Sequence, residues 1–181
     1  PDADRLVARF EGFEECIDAV SYGDDIIVSQ YGTGGVVRFH PESPDDRTVI
    51  ATGLEEPAGL AVHGADLYVA DRSGTLFQVI DDGETLETPR PIASGLAGPE
   101  GIAAAEDGTL YVVEEDAGRV TQVDPETGAV TPLADGLALG GPERRALAES
   151  TSIGYLSGVA VGNGALFVSD YQGNRVYRIE H

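Results

Sequence analysis

Five carboxylates are the residues of this sequence best placed to do chemistry. Asp71, Glu114 and Asp170 each end an apolar run, in 67–71, 110–114 and 166–170, while Asp18 and Glu100 stand near the heads of such runs. Carboxylate oxygens are hard ligands, and several together suit Ca²⁺. The same residue types have a second use, because Asp in a tight turn accepts hydrogen bonds from backbone N–H groups. Both readings stand for Asp71, Glu114 and Asp170. Glu100 is the more pointed candidate, since Ala58 and Ser157 fill the matching positions elsewhere. Arg144 and Arg145 form the one adjacent basic pair, which could grip an anionic substrate group or neutralise nearby carboxylates. Tyr31 and Tyr171 add hydroxyls for substrate binding. Cys16 has no His or Lys beside it to activate a thiolate, so a small buried apolar residue is expected there.

What positions these groups is a repeat. Gly53-Leu54-Glu55-Glu56-Pro57-Ala58-Gly59-Leu60-Ala61-Val62 opens one copy and Leu67-Tyr68-Val69-Ala70-Asp71 closes it. Gly95-Leu96-Ala97-Gly98-Pro99-Glu100-Gly101-Ile102-Ala103 and Leu110-Tyr111-Val112-Val113-Glu114 form the next. The starts at Gly12, Gly53, Gly95 and Gly136 define a period of roughly 40 residues, the size of a solenoid or propeller unit. Each unit reads as four short strands; in the second they cover 59–62, 67–70, 75–79 and 91–93, separated by Gly- and Asp-rich turns. Periods near two and strands rich in Val, Ile, Leu and Tyr leave no helix signal.

Four antiparallel strands per unit predict an all-β fold, a β-propeller of four four-stranded blades at about 12–52, 53–94, 95–135 and 136–181 plus 5–11. The last unit stops after its third strand, and 6–10 falls where a fourth belongs. An N-terminal strand is therefore expected to complete the last blade and pair two exposed edges. A single domain over 1–181 follows.

The chain resembles NHL-repeat and senescence-marker/gluconolactonase-like propellers, on Pro57-x-Gly59-Leu60-Ala61-Val62 with Leu67-Tyr68-Val69-Ala70-Asp71 and their copies at 99–103 with 110–114 and at 156–161 with 166–170. Members of those families usually have six blades. Four blades imply a compact ring, a fragment, or a half completed by a second chain. The resemblance places ligands on the top face, which receives the ends of second strands and the starts of first strands. It also implies that the residue between Pro and Gly, here Glu100, can ligate a metal. His63 and His40 fall in bottom-face turns and His181 is terminal, which disfavours a His general base on the top face. From 138 to 155 an insertion breaks the period and leaves the top face, where it could lie over the channel or form a plain surface loop.

Composition narrows the partners. The formal charge is −21, from 32 acidic and 11 basic residues, and every base is Arg. Such a surface repels nucleic acid and anionic membranes, leaving cations and neutral molecules. It also suits a secreted or high-salt setting. One cysteine excludes an internal disulfide. Without Met, the chain is expected to be a mature form, a cleaved product or part of something longer. Two functions remain open: a binding or scaffold propeller using the top face and the 138–155 loop, or a metal-dependent hydrolase or lyase with a carboxylate-bound divalent cation.

Overall fold

Backbone register explains why the repeat has its particular wording. The computed structural model describes residues 8–139, 157–170 and 174–180. Blade 1 holds β1 (Cys16–Tyr22), β2 (Asp25–Gln30), β3 (Gly35–His40) and β4 (Ser43–Ala51). Blade 2 holds β5 (Pro57–His63), β6 (Asp66–Asp71), β7 (Thr75–Asp81) and β8 (Glu84–Ser94). Blade 3 holds β9 (Pro99–Ala104), β10 (Leu110–Glu114), β11 (Arg119–Val123) and β12 (Val130–Ala134), and blade 4 holds β13 (Val159–Gly162), β14 (Ala165–Asp170) and β15 (Arg175–Glu180). Each blade is an antiparallel meander, of four strands in blades 1 to 3 and of three in blade 4 among the described residues. The chain is an all-β, four-bladed β-propeller.

The repeat proline and the repeat acid are cross-strand partners. Pro57 faces Asp71, Pro99 faces Glu114, and Cys16 faces Gln30 in blade 1. A register shift follows each of these pairs, as expected where the first strand bulges. The glycine after each proline has a packing cause. A Cβ on Gly59 would lie 2.2 Å from the Glu100 carbonyl oxygen of the next blade, and one on Gly101 2.5 Å from that of Ser157. Adjacent inner strands approach too closely for any side chain there.

Side-chain alternation then divides each strand between two interfaces. Leu67 and Val69 point to blade 1, whereas Tyr68 and Ala70 point to blade 3. Leu110 and Val112 repeat the first pattern, Tyr111 and Val113 the second. The core is thus three apolar sandwiches between consecutive blades. Leu67, Leu110 and Leu166 are fully buried, each contributing about 1.5–3 kcal/mol of apolar burial.

Two expectations change. The fourth strand of blade 2 starts at Glu84 and not near 91, because Asp82 and Gly83 both take positive φ (48° and 84°) and turn the chain straight into a hairpin. Cys16 is exposed, not buried. The closing N-terminal strand was expected over 5–11; 1–7 lie outside the described residues, and 8–10 carry no strand. The Phe10 ring instead packs edge-on to Phe39 of blade 1, with centroids 5.2 Å apart.

Gly59→Ala should lower unfolding stability by about 1–3 kcal/mol, the cost of overpacking a fixed interface. Gly162→Ala, where a Cβ meets nothing within 4 Å, should stay within about 0.5 kcal/mol of the parent. Urea unfolding monitored by tyrosine fluorescence distinguishes the two; equal costs would contradict the packing cause.

Candidate functional site

In blades 2 and 3 the acid that ends the second strand sits opposite the loop entering its own blade and closes that loop, and Gln30 takes this place in blade 1. Asp71 accepts hydrogen bonds from the backbone N–H groups of Glu55 (2.9 Å), Glu56 (3.1 Å) and Ser73 (3.0 Å). Glu114 accepts from Ala97 N–H at 2.7 Å, and in blade 1 the Gln30 amide oxygen accepts from Glu14 N–H at 2.8 Å. Each ties down the chain some sixteen residues upstream. This column belongs first to the fold.

Glu114 is fully buried and held further by Arg119, with contacts of 2.6 and 2.7 Å, and by the Thr121 hydroxyl. Burial alone would raise its pKa, but the bonds from Arg119, Thr121 and Ala97 prevail and hold it below the usual 4.5. Asp170 pairs with Arg175 at 3.0 Å. Asp18 occupies the position of Gly59 in blade 1, and its carboxylate accepts Leu60 N–H of the next blade at 2.9 Å.

Glu100 departs from this pattern because it links blades. Its side chain is 1% exposed, and Oε1 lies 3.0 Å from Arg72 Nε of blade 2. Oε2 accepts Ser157 N–H of blade 4 at 3.0 Å. Arg72 also reaches Glu115 Oε2 at 3.2 Å, a carboxylate 4% exposed. Tyr31 continues the row on the blade 1 side. Burial and a hydrogen bond to Glu56 push its hydroxyl pKa upward, with Arg72 pulling the other way, so the phenol stays a neutral donor at physiological pH. Tyr31, Glu56, Arg72, Glu100 and Glu115 thus form one polar row over the top of blades 1 to 3, ending at Ser157.

The five carboxylates proposed as ligands are therefore spread over all four blades, with Glu100 and Glu114 both in blade 3, each engaged by its own backbone or Arg partner. Among the described residues, no three His, Cys, Asp or Glu are placed to hold one metal ion. Arg144, Arg145 and Tyr171 lie outside the described residues, as does 140–155 of the inserted loop. The sequence puts Arg72 and Glu115 on this face as neighbours of the strand-ending acids, yet gives no sign that they pair. His63 and His40 are the last residues of β5 and β3, at the bottom-face turns, where His63 Nε2 lies 3.2 Å from Glu106 O and His40 Nδ1 accepts Glu42 N–H.

A second polar cleft, of about 510 Å³, opens between blades 2 and 3 near the bottom face. Tyr68, Asp81 and Arg90 line it. Burial, then the Asp66 carboxylate, pushes the Tyr68 hydroxyl up to about 12. Arg90 is already paired with Asp81 at 3.1 Å and with Gln78.

No family model matches the sequence, and no curated protein matches it. Several solved structures match in fold. A protein of unknown function from Bacteroides thetaiotaomicron aligns with a TM-score of 0.70 at 18% identity, over 93% of this chain and 42% of that one. Virginiamycin B lyase from Staphylococcus aureus aligns at 0.63 and 11% identity, over 92% and 55%. An auxiliary nutrient binding protein from Bacteroides thetaiotaomicron aligns at 0.63 and 12%, over 92% and 42%. The chain spans 42% to 55% of the length of these structures.

The lowered Glu114 pKa sets a pH dependence. Its stabilising contribution is complete above the unfolded value near 4.5 and is lost as pH falls through the lower folded value. Glu114→Gln should be less stable than the parent at neutral pH and lose less stability on acidification below 4.5. Unfolding free energies across that range would show parallel curves if Glu114 had no such role. At these identities the likeness to the solved structures is one of architecture: this chain shares their β-propeller fold.

Proposed function

We propose that this chain is a binding propeller that recognises a polar ligand on its top face. The observation that carries this reading is Arg72, 15% exposed and fixed between the Glu100 and Glu115 carboxylates. A guanidinium clamped by two acids keeps its orientation without a ligand, and preorganised polar groups are what recognition requires. Two carboxylates against one guanidinium leave the row net negative, and the whole chain is strongly acidic. That balance favours a cationic or a neutral hydroxyl-rich molecule over an anion. The Tyr31 hydroxyl, one edge of the row, is oriented by its bond to Glu56 and offers its oxygen as an acceptor to a ligand donor. The 138–155 segment would extend this recognition surface. An auxiliary nutrient binding protein is among the solved structures that share this fold.

A metal-dependent hydrolase or lyase is the second reading. Glu100 supports it, a buried acid in a column of small residues, together with lyases among the solved neighbours. In that case Glu100 and Asp170 would hold a divalent cation that polarises a carbonyl.

Calorimetric titration with a neutral oligosaccharide and with a cationic amino acid tests the first reading. One of these should bind, and Tyr31→Phe should weaken it about tenfold, the worth of one well-placed hydrogen bond. Unchanged affinity in Tyr31→Phe and Arg72→Lys would refute the top-face site. A thermal shift with Ca²⁺, Mg²⁺ or Zn²⁺ that disappears in Glu100→Gln would instead select the metal-dependent reading.

A further inference from the structure

Blade 4 carries the half of an interface that nothing in the described chain completes. Each blade aims one column of third-strand residues at the blade after it. Val36, Leu76 and Val120 hold this position in blades 1, 2 and 3, and all three are fully buried. Val176 is the same position in blade 4, and it is 65% exposed. Phe167, the counterpart of buried Tyr68 and Tyr111, is only half-buried, and Ala160, the counterpart of buried Ala61, is exposed.

Gly158 is the sharpest sign. Its counterparts Gly59 and Gly101 must be glycine because the next inner strand lies against them. At Gly158 a Cβ would meet only the Ser169 hydroxyl, at 3.4 Å. Blade 1 meets blade 2 with Asp18 at this position, but blade 4 keeps the glycine of blades 2 and 3, and among the described residues no following strand lies against it.

Blade 1 carries the opposite half. Its face away from blade 2 is an apolar groove of about 290 Å³ lined by Phe10, Phe13, Ile17, Ile26, Val28 and Phe39. Ile26 and Val28 stand where Leu67 and Val69 stand in blade 2, the positions that meet a preceding blade. Inner strands pack in the series β1 on β5, β5 on β9 and β9 on β13, with no comparable packing of β13 on β1 among the described residues.

We propose that a second copy of this chain fills both gaps, so that blade 4 of each copy seats on blade 1 of the other and two copies close one ring. The contact repeats, position for position, the one made three times within each chain. A two-fold arrangement uses both faces of both copies and leaves no exposed end, which separates it from an open filament. This assembly does not depend on the ligand assigned to the top face.

The test is the solution mass of the 181-residue chain by light scattering. Twice the 18.9 kDa of one chain is expected, with dimer favoured as salt screens the mutual repulsion of two acidic copies. Val176→Asp should place a charge in the new interface and weaken dimerisation by more than about a hundredfold. Gly158→Val should also give 18.9 kDa particles, with unchanged far-UV circular dichroism, because among the described residues an added Cβ meets only the Ser169 hydroxyl, at an ordinary 3.4 Å. Val49→Asp, on an exposed outer strand, should leave the dimer intact. A mass of 18.9 kDa at every concentration and salt level overturns the proposal. So does a dimer that survives both Val176→Asp and Gly158→Val, or growth into larger assemblies.

Discussion

The close approach of neighbouring inner strands is the constraint on which the rest of this molecule depends. Where β5 meets β9, and β9 meets the chain entering β13, only a glycine fits. That contact sets the angle between blades. It also sets the depth at which the leucines and valines of the second and third strands interlock. Once the inner strands are fixed, alternation along each strand sends one side chain to the preceding blade and the next to the following blade. The apolar core is a consequence of that spacing and not an independent feature.

The acids fall into two kinds by what they tie together. Asp71 and Glu114, with Gln30 in the same column, act within one blade and hold the loop that enters its first strand. Their partners are backbone N–H groups that would otherwise be left without an acceptor in a tight crossing. Glu100 acts between blades. It meets Arg72 of the blade before and Ser157 of the blade after, close to where the inner strands converge. A buried charge at such a junction is tolerated because its counter-charge is equally fixed. Removing one partner would leave the other stranded, so this row binds blades 2, 3 and 4 as well as shaping the top face.

Much of the fold was legible because a propeller repeats its instructions. The period located four blades, the turn residues separated their strands, and the Pro-x-Gly phrase marked the inner strands of blades 2 and 3. Its errors were local. The start of β8 was misplaced because Asp82-Gly83 was read as part of a longer turn. Cys16 was expected inside as a small apolar residue without a partner to activate it, but blade 1 has no preceding blade against that edge in the described chain. The site was far less legible. The column of Asp71, Glu114 and Asp170 was visible, and both of its readings were open, because a carboxylate suits a backbone amide as well as a cation.

The sequence by itself determined the blade count, the repeat positions of Pro57, Asp71, Pro99 and Glu114, and the face on which strand-ending residues lie. These follow from short-range periodicity, which survives in one dimension. Only the tertiary structure decided that Arg72 sits between Glu100 and Glu115, and that Glu100 reaches Ser157 across 57 residues of chain. Those contacts join different repeats, and their geometry comes from the angle at which blades pack. No spacing within a single repeat encodes that angle.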